Sequence, residues 1–592
     1  MHKKTNIQIN MKIFSNVYIL KNSDCRITIF FTLILNIFPL LNSRDFSIIR
    51  DEIGSLASAS ALAGLDWSGV IQQTKYYGIG FNWIYAPLFR LLNNPYAVWI
   101  GIWIINAFLL ALLSGLVHYI AHSFFNIKNR TAAITGSVLT GIILGGYKIY
   151  NEIGVYFVTW ISCYFFIKLI HNQNESIRDT CILSILSGWL LLIHTRTLLW
   201  LLVVIFIAFS GKYFFKVKST NMKIFLPLTA FMYVLSDCIK KYAILSLWRN
   251  SSVSTTGFNA FIPVNLKQQW LISQEGIVLC FKIFLSNFLT CVNRTYGFFL
   301  LAFVLFTMTL YKKAKNNSDK LKKNKEAFIL LLLGILTTSG IIAGIIYLNG
   351  PGMYSNLFSG TTIFAKYKAF HFWRYYCPYA CLLIFPVIIF LDRLNIISKF
   401  LILLLYCNAS LIYLWKIRPI TVGMGFSNYI LSITCFDTFN TNYFITIVFI
   451  SLLLIMLFSG KINICLIIIL LYITIPKLEG FTINCTNLTG NGAYELMKKI
   501  DDFDINIYCE DSQLASNYQF LLYNHSIQVE IPDFSKDKNI LWLTECSKEK
   551  NKLITGENIY SVRLDDNETA YIAGQQLKIR MTELGYKLET VE

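Results

Sequence analysis

The sequence predicts an all-α polytopic membrane bundle of about 13 transmembrane helices, followed by a small extracytoplasmic α/β domain at the C-terminus. Three observations predict this fold class. The 592 residues are 55% hydrophobic and 14% charged, with a mean hydropathy of +0.53. A soluble chain of this length would lack the polar residues to cover its surface. Long apolar runs recur up to residue 478, and the composition then turns polar.

The apolar runs set the number of predicted spans, since a helix needs roughly 20 apolar residues to cross the bilayer core. The predicted spans are 27–42, 95–121, 131–149, 153–170, 180–194, 197–214, 223–238, 295–311, 327–347, 377–392, 399–415, 441–459 and 462–478. An odd number of spans places the two termini on opposite sides. The lysine-rich loop 312–325 is expected in the cytoplasm by the positive-inside rule, and this puts the N-terminus in the cytoplasm as well.

Three segments follow from this division. Residues 1–26 form a basic cytoplasmic segment, and no cleavage site follows the first apolar run, so a retained first helix is expected. Residues 27–478 form the transmembrane domain, with 43–94 as its first outer loop. Residues 479–592 form the α/β domain, in which strand and helix patterns alternate. The strands are predicted at Ile505–Cys509, Ile527–Ile531, Ile540–Leu543 and Tyr560–Leu564, and the helices at Ala493–Ile500, Gln513–Tyr523 and Ala570–Leu584.

The charge and the cysteines exclude some function classes. The net charge of +19 lies largely in short loops between apolar runs, which is typical of membrane orientation rather than of nucleic-acid binding. The 14 cysteines include no Cys-x-x-Cys pair and no Cys/His cluster, so neither a zinc site nor a disulfide framework is predicted.

Cations on the predicted outer side depart from the orientation rule. They are Lys148, Arg196, Lys240, Lys241, Arg249, Arg294, Lys366, Lys368 and Arg374. Such cations can reach lipid headgroups from helix ends, which is a purely structural explanation. They can also form a pocket for a lipid-linked phosphate, because arginine offers a planar fork and lysine a point charge.

The first outer loop opens with two adjacent acids, Asp51 and Glu52. If 48–65 is a helix, Asp51 shares a face with the small residues Ser55 and Ser58, open to close approach by a substrate, and Glu52 points about 100° away. An acidic first turn stabilised by the helix dipole explains the pair equally well. A further acid in the short second outer loop, Glu152, favours chemistry on an anionic lipid, with a carboxylate as general base.

These residues resemble the pattern of the GT-C superfamily of integral-membrane glycosyltransferases, in the branch of protein O-mannosyltransferases and the lipid A aminoarabinose transferase. The matching residues are Asp51-Glu52, Gly64-Leu65-Asp66-Trp67, Tyr76-Tyr77-Gly78-Ile79-Gly80 before Pro87-Leu88, Glu152, His194-Thr195-Arg196-Thr197 and Arg374-Tyr375-Tyr376-Cys377-Pro378. The resemblance implies Asp51 as catalytic base, supported by Glu52. It also implies a donor phosphate bound by Lys148, Arg196 and Arg374. The expected sugar or acceptor contacts are Glu152, Asp66, Trp67, Tyr76 and Tyr77.

The sequence departs from the aminoarabinose branch at two places. Ile53-Gly54 stands where that branch often has Arg-Tyr, and Tyr77-Gly78-Ile79 stands in place of Lys-Pro-Pro. The donor sugar therefore cannot be taken from that branch. The two outer loops carry no Asp-x-Asp, so we expect no required metal and no other cofactor.

The expected activity is that of an inverting glycosyltransferase of a bacterial plasma membrane. It would move a sugar from a polyprenyl-phosphate donor to a hydroxyl of an envelope glycan, lipid or protein on the outer face. A polymerase or ligase of lipid-linked glycans is an alternative, and it would depend on the basic region 239–294. A lipid or glycan transporter is less favoured, because no internal repeat is found and the charges cluster at one face.

Overall fold

A computed structural model describes most of the two predicted domains. The described residues are 22–42, 48, 50–74, 76–125, 127, 129–143, 151–173, 175–213, 220–248, 273–314, 325–359, 373–391, 394–417, 450–458, 461–462, 464, 466–469, 491–500, 504–534, 539–545, 558–565 and 568–591.

The N-terminal part is a helical bundle. Its helices are α1 (Ser23–Ile37), α2 (Arg50–Ala63), α3 (Ser68–Ile71), α4 (Ala86–Leu91), α5 (Pro95–Ser123), α6 (Arg130–Ile142), α7 (Glu152–Asn172), α8 (Ile177–Ile193), α9 (Leu198–Tyr213), α10 (Met222–Ala243), α11 (Gln274–Arg294), α12 (Phe298–Ala314), α13 (Lys325–Ser359), α14 (Trp373–Ala380), α15 (Ile384–Phe390), α16 (Ile396–Ile412) and α17 (450–458). Short 3-10 turns cover Phe38–Asn42, Asn82–Tyr85, Thr195–Thr197 and Cys381–Leu383, and π turns cover Ile244–Trp248 and Tyr413–Ile417.

The chain is a multi-pass membrane protein. Within the described ranges, eight helical segments are long and apolar enough to cross a membrane. They are Ser23–Leu40, Pro95–Ser123, Glu152–Asn172, Thr195–Lys212, Met222–Trp248, Gln274–Arg294, Lys325–Leu348 and Ile396–Ile417. The predicted number of thirteen is not confirmed.

Part of the predicted outer region 239–294 is helical instead. Helix α10 and its π turn continue to Trp248, and α11 occupies Gln274–Arg294. Polar residues such as Asn287 and Asn293 interrupt the apolar pattern of α11. For this reason the apolar runs did not predict a helix there. Both side chains are buried and both donate to the carbonyl one turn earlier, so they are satisfied inside the helix.

The C-terminal domain contains a six-stranded mixed sheet in the order β2-β1-β3-β5-β4-β6. Its strands are β1 (Asn506–Tyr508), β2 (Ile527–Gln528), β3 (Ile540–Glu545), β4 (Ile559–Arg563), β5 (Glu568–Ala573) and β6 (Leu588–Thr590), and its helices are α18 (Asn491–Ile500), α19 (Ser512–Leu521) and α20 (Gln575–Glu583). The small α/β fold is confirmed. The single helix predicted over 570–584 is wrong, because its first residues pair with β3 and β4 on either side and the helix begins only after Gly574.

The C-terminal domain shares a hydrophobic core with the first loop of the bundle. Phe89 of α4 packs edge-to-face against Phe520 and Tyr523. The indole N–H of Trp67 donates to the carbonyl of Tyr523 at 2.9 Å. The side-chain amide of Gln513 contacts the chain at the start of α2: it accepts from the Arg50 N–H at 3.2 Å and donates to the Ile48 carbonyl at 3.4 Å. The domain is therefore docked on the loop that carries the paired acids.

Candidate active site

Asp51 lies half-buried in the first turn of α2. The phenol of Tyr77 donates a hydrogen bond to its Oδ1. This contact joins the start of α2 to the loop 76–80, which lies between α3 and α4 in the chain. The predicted catalytic acid and one predicted substrate contact are thus neighbours in space.

The loop 76–80 is fixed to the end of α8 by its backbone. The N–H groups of Ile79 and Gly80 both donate to the Leu192 carbonyl at 3.0 Å, and the Gly80 carbonyl accepts from the Trp189 indole at 2.7 Å. Gly78 has φ of 100°, and a Cβ built on it would lie 2.0 Å from the carbonyl oxygen of Ile193. The loop can approach α8 this closely only with glycine at that position.

Asn151 ties the same loop to the start of α7. Its side-chain amide donates to the carbonyls of Tyr77 and, at 3.4 Å, Gly78. The Asn151 side chain is almost fully buried. Because Glu152 follows it as the first residue of α7, the amide places Glu152 beside the loop.

Glu152 and Arg196 form an ion pair at this end of the bundle. The Nη2 of Arg196 is 2.5 Å from Oε1 of Glu152, with side chains 12% and 7% exposed respectively. The guanidinium carbon lies 3.9 Å from the ring centroid of Tyr375, whose ring also faces His194. The Nε and Nη1 atoms of Arg196 are buried and have no hydrogen-bond partner among the described residues.

These contacts make one continuous set that runs from Asp51 through Tyr77 and Asn151 to Glu152 and Arg196. One end supplies a carboxylate that can accept a proton. The other supplies fixed guanidinium donors that can bind anionic oxygens. Four separate elements contribute to the set, and the loop 76–80 connects them.

The remaining predicted residues lie in different surroundings. Glu52 is 2% exposed. Asp66 is exposed and caps α3, since its Oδ1 accepts from the Ser68 N–H at 3.1 Å. Tyr76 is buried against Trp248, and burial raises the pKa of its phenol.

Trp67 is buried and uses its indole N–H in the contact with the C-terminal domain. Lys148 and the side chain of Arg374 lie outside the described residues. The small-residue face predicted on α2 is covered: the segment 52–60 is buried all round, because 82–85, α4 and α19 pack against it.

Three residues that belong to the set or contact it were missing from the predicted site. Tyr375 belongs to the matching motif Arg374-Tyr375-Tyr376-Cys377-Pro378 but was given no role, and Asn151 stands beside Glu152 in the chain. Trp189 lies within the apolar run of α8 and gives no signal in the sequence. In the part of the chain that is described, no three His, Cys, Asp or Glu side chains could hold a metal together; the expectation of a metal-free reaction stays a prediction.

No protein-family model and no curated protein matches the sequence. The structure is similar to ArnT from Cupriavidus metallidurans bound to undecaprenyl phosphate, with a TM-score of 0.52 and 12% identity, over 93% of this chain and 98% of that one. The apo state of the same protein gives a TM-score of 0.50 and 11% identity, over 93% and 99% of the two chains. The chain has a GT-C-like fold. At these identities the likeness concerns the fold alone.

Proposed function

We propose that the protein is an inverting glycosyltransferase of a bacterial plasma membrane, moving a sugar from a polyprenyl phosphate to a hydroxyl on the extracytoplasmic side. The acceptor is an envelope glycan, lipid or protein. The single observation that carries the proposal is the set of contacts from Asp51 to Arg196, which joins a proton acceptor to donors for a phosphate. The GT-C-like fold, shared with an ArnT bound to undecaprenyl phosphate, supports it.

Asp51 acts as the general base. Its carboxylate takes the proton of the acceptor hydroxyl while that oxygen attacks the anomeric carbon. The Tyr77 phenol donates to Oδ1, so it orients the base without removing its charge. A positioned base of this kind contributes about 10²- to 10⁴-fold to the rate.

Arg196 binds the phosphate that leaves. Glu152 takes one end of the guanidinium and Tyr375 fixes its plane, so Nε and Nη1 are held in one orientation. Buried donors without a partner cost about 1–3 kcal/mol each, and phosphate oxygens would satisfy them. The bond between the anomeric carbon and the phosphate oxygen breaks, and its electron pair stays on the polyprenyl phosphate. Attack from the opposite face inverts the anomeric carbon.

Replacing Asp51 tests the base directly. We expect Asp51→Asn to lower transfer from undecaprenyl-phosphate sugars, tested as a panel with purified protein, by about 10³-fold. The affinity for undecaprenyl phosphate itself should stay unchanged. Glu583→Gln is the control, because it makes the same acid-to-amide change on an exposed residue of α20. Transfer by Asp51→Asn at the rate of the control would refute the base.

Replacing Arg196 tests the phosphate contact. Arg196→Lys keeps a charge beside Glu152 but loses the planar fork, and we expect its affinity for undecaprenyl phosphate to fall about tenfold. Arg130→Lys is the matched control, since Arg130 makes a two-pronged pair with Asp24 elsewhere in the bundle. Equal affinities for the two variants would contradict the assignment.

The alternative, a polymerase or ligase of lipid-linked glycans, is less favoured than the glycosyltransferase. It depended on a large basic outer loop over 239–294. Helix α10 with its π turn reaches Trp248 and α11 begins at Gln274, so much of that region is helical.

A further inference from the structure

A second cation lies beside the loop 76–80 and has no part in the proposed reaction so far. Lys240 is near the end of α10 and is 6% exposed. Its Nζ lies 5.6 Å from the ring centroid of Tyr76. Among the described residues it forms no hydrogen bond and no ion pair within 4.0 Å. Lys240 is largely buried, so its ammonium has lost part of its hydration, and the Asp237 carboxylate that acts on it is already paired with Lys241.

The packing of α10 against α8 sets the height of Lys240. Ser236 donates to the Gly188 carbonyl at 3.0 Å, and Asn221 N–H donates to Thr180 at 3.3 Å, so the two helices run in the same direction. Lys240 is one turn beyond Ser236, and Leu192 is one turn beyond Gly188. The two residues therefore lie toward the same end of the two helices.

Leu192 is the residue whose carbonyl fixes the loop 76–80. The loop thus meets α8 on one side, where Arg196 follows, and Lys240 of α10 on another. The two tyrosines of the loop contact different charged residues. Tyr77 donates a hydrogen bond to Asp51, and the ring of Tyr76 faces the Lys240 ammonium.

The neighbouring lysine shows what an ordinary cation does at this end of α10. Lys241 is 70% exposed and pairs with Asp237 at 2.8 Å. It is solvated and neutralised, as expected for a lysine at a helix end. An exposed lysine such as Lys241 can contact lipid headgroups or water. This explanation does not apply to Lys240, because its side chain is buried.

We infer that Lys240 is a phosphate-binding residue of the same site, contacting the anionic headgroup of the polyprenyl-phosphate donor from the side of Tyr76. This inference rests on the proposed function. Lys240 supplies a point charge beside the loop from another helix. The ligand chemistry is a phosphate ester on a long isoprenoid chain.

The experiment compares two lipids that differ only in the phosphate. Binding of undecaprenyl phosphate and of undecaprenol is measured with the purified full-length protein in detergent. We expect Lys240→Gln to weaken binding of undecaprenyl phosphate about tenfold and to leave that of undecaprenol unchanged. Lys240→Arg should retain the preference for the phosphate, and Lys241→Gln should behave as wild type. Competition by inorganic phosphate alone would show that a free ion suffices, which would overturn the assignment to a lipid headgroup.

Thermal unfolding without lipid gives an independent readout. Since the Lys240 side chain is largely buried and the Asp237 carboxylate is paired with Lys241, Lys240→Met should unfold at a higher temperature than wild type but gain less from added undecaprenyl phosphate. A residue with only a packing role would lower stability with and without lipid alike, and that result would overturn the inference. Equal loss of affinity for both lipids would do the same.

The two proposals fail in different ways. If Asp51→Asn abolishes transfer while Lys240→Gln binds undecaprenyl phosphate normally, the role of Lys240 falls and the proposed reaction stands. If Asp51→Asn transfers sugar normally, the proposed reaction falls whatever Lys240 does.

Discussion

Replacing Gly78 by alanine should release the loop 76–80 from α8. The glycine has φ of 100°, a conformation that costs an L-residue about 1–2 kcal/mol. Its new Cβ would lie 2.0 Å from the Ile193 carbonyl oxygen, so the loop must move. Movement breaks the two bonds that Ile79 and Gly80 make to Leu192, each with a net value of about 1 kcal/mol. With the lower of these values the sum is about 3 kcal/mol.

Hydrogen exchange measured by mass spectrometry on the peptide containing 76–81 reports this change. Because each 1.4 kcal/mol is a factor of ten in an equilibrium, exchange at Ile79 and Gly80 should accelerate roughly 100-fold in Gly78→Ala. Sugar transfer should fall as well, since Tyr77 moves with the loop and away from Asp51.

Gly64→Ala separates the two causes. Gly64 has φ of 85°, but its Cβ would meet nothing within 4 Å. Gly64→Ala therefore has the conformational cost of a positive φ but no steric clash. We expect it to lose about 1 kcal/mol of stability and to show normal hydrogen exchange in the loop 76–80. If Gly78→Ala exchanged like Gly64→Ala and kept full transfer, the loop would not be held by α8 as described.

Three further results are expected. Tyr77→Phe should lower the turnover rate about tenfold without changing affinity for undecaprenyl phosphate; a change in affinity alone would contradict its role in orienting Asp51. Trp67→Phe leaves the Tyr523 carbonyl without its donor and should cost about 1–2 kcal/mol, measured as a lower midpoint of thermal unfolding. Burial raises the pKa of Glu568 from 4.5 to about 8. The folded domain thus holds a proton that the unfolded chain has released, and its stability should fall as pH rises from 4.5 to about 8. Glu568→Gln should abolish that slope, and an unchanged slope would show that another group causes it.

The composition and the apolar runs were enough to predict a membrane bundle followed by a small α/β fold. Both signals are local: a helix crosses a bilayer because its own residues are apolar, and the predicted domain boundary is a change in composition near residue 479. Paired acids after the first span, followed by an aromatic and glycine-rich stretch, also pointed to the GT-C-like fold. Short strands such as β3 were found because β-branched and aromatic residues cluster in them.

The errors arose where tertiary contacts decide the structure. Ala570–Ala573 has helical propensity but forms β5, because β3 and β4 offer backbone partners on both sides. The polar residues of α11 read as loop in the chain, and burial within the bundle makes them part of a helix.

The sequence by itself determined which segments lie in the membrane and which face water. It also determined which types of side chain, carboxylates and cations, are present for a reaction. Only the tertiary structure decided which of them meet. Trp67 reaches Tyr523 across 456 positions of the chain, and Arg196 reaches Glu152 across 44. Such meetings depend on helix packing and on a glycine that lets one backbone approach another, and neither is encoded in the local pattern of the residues that meet.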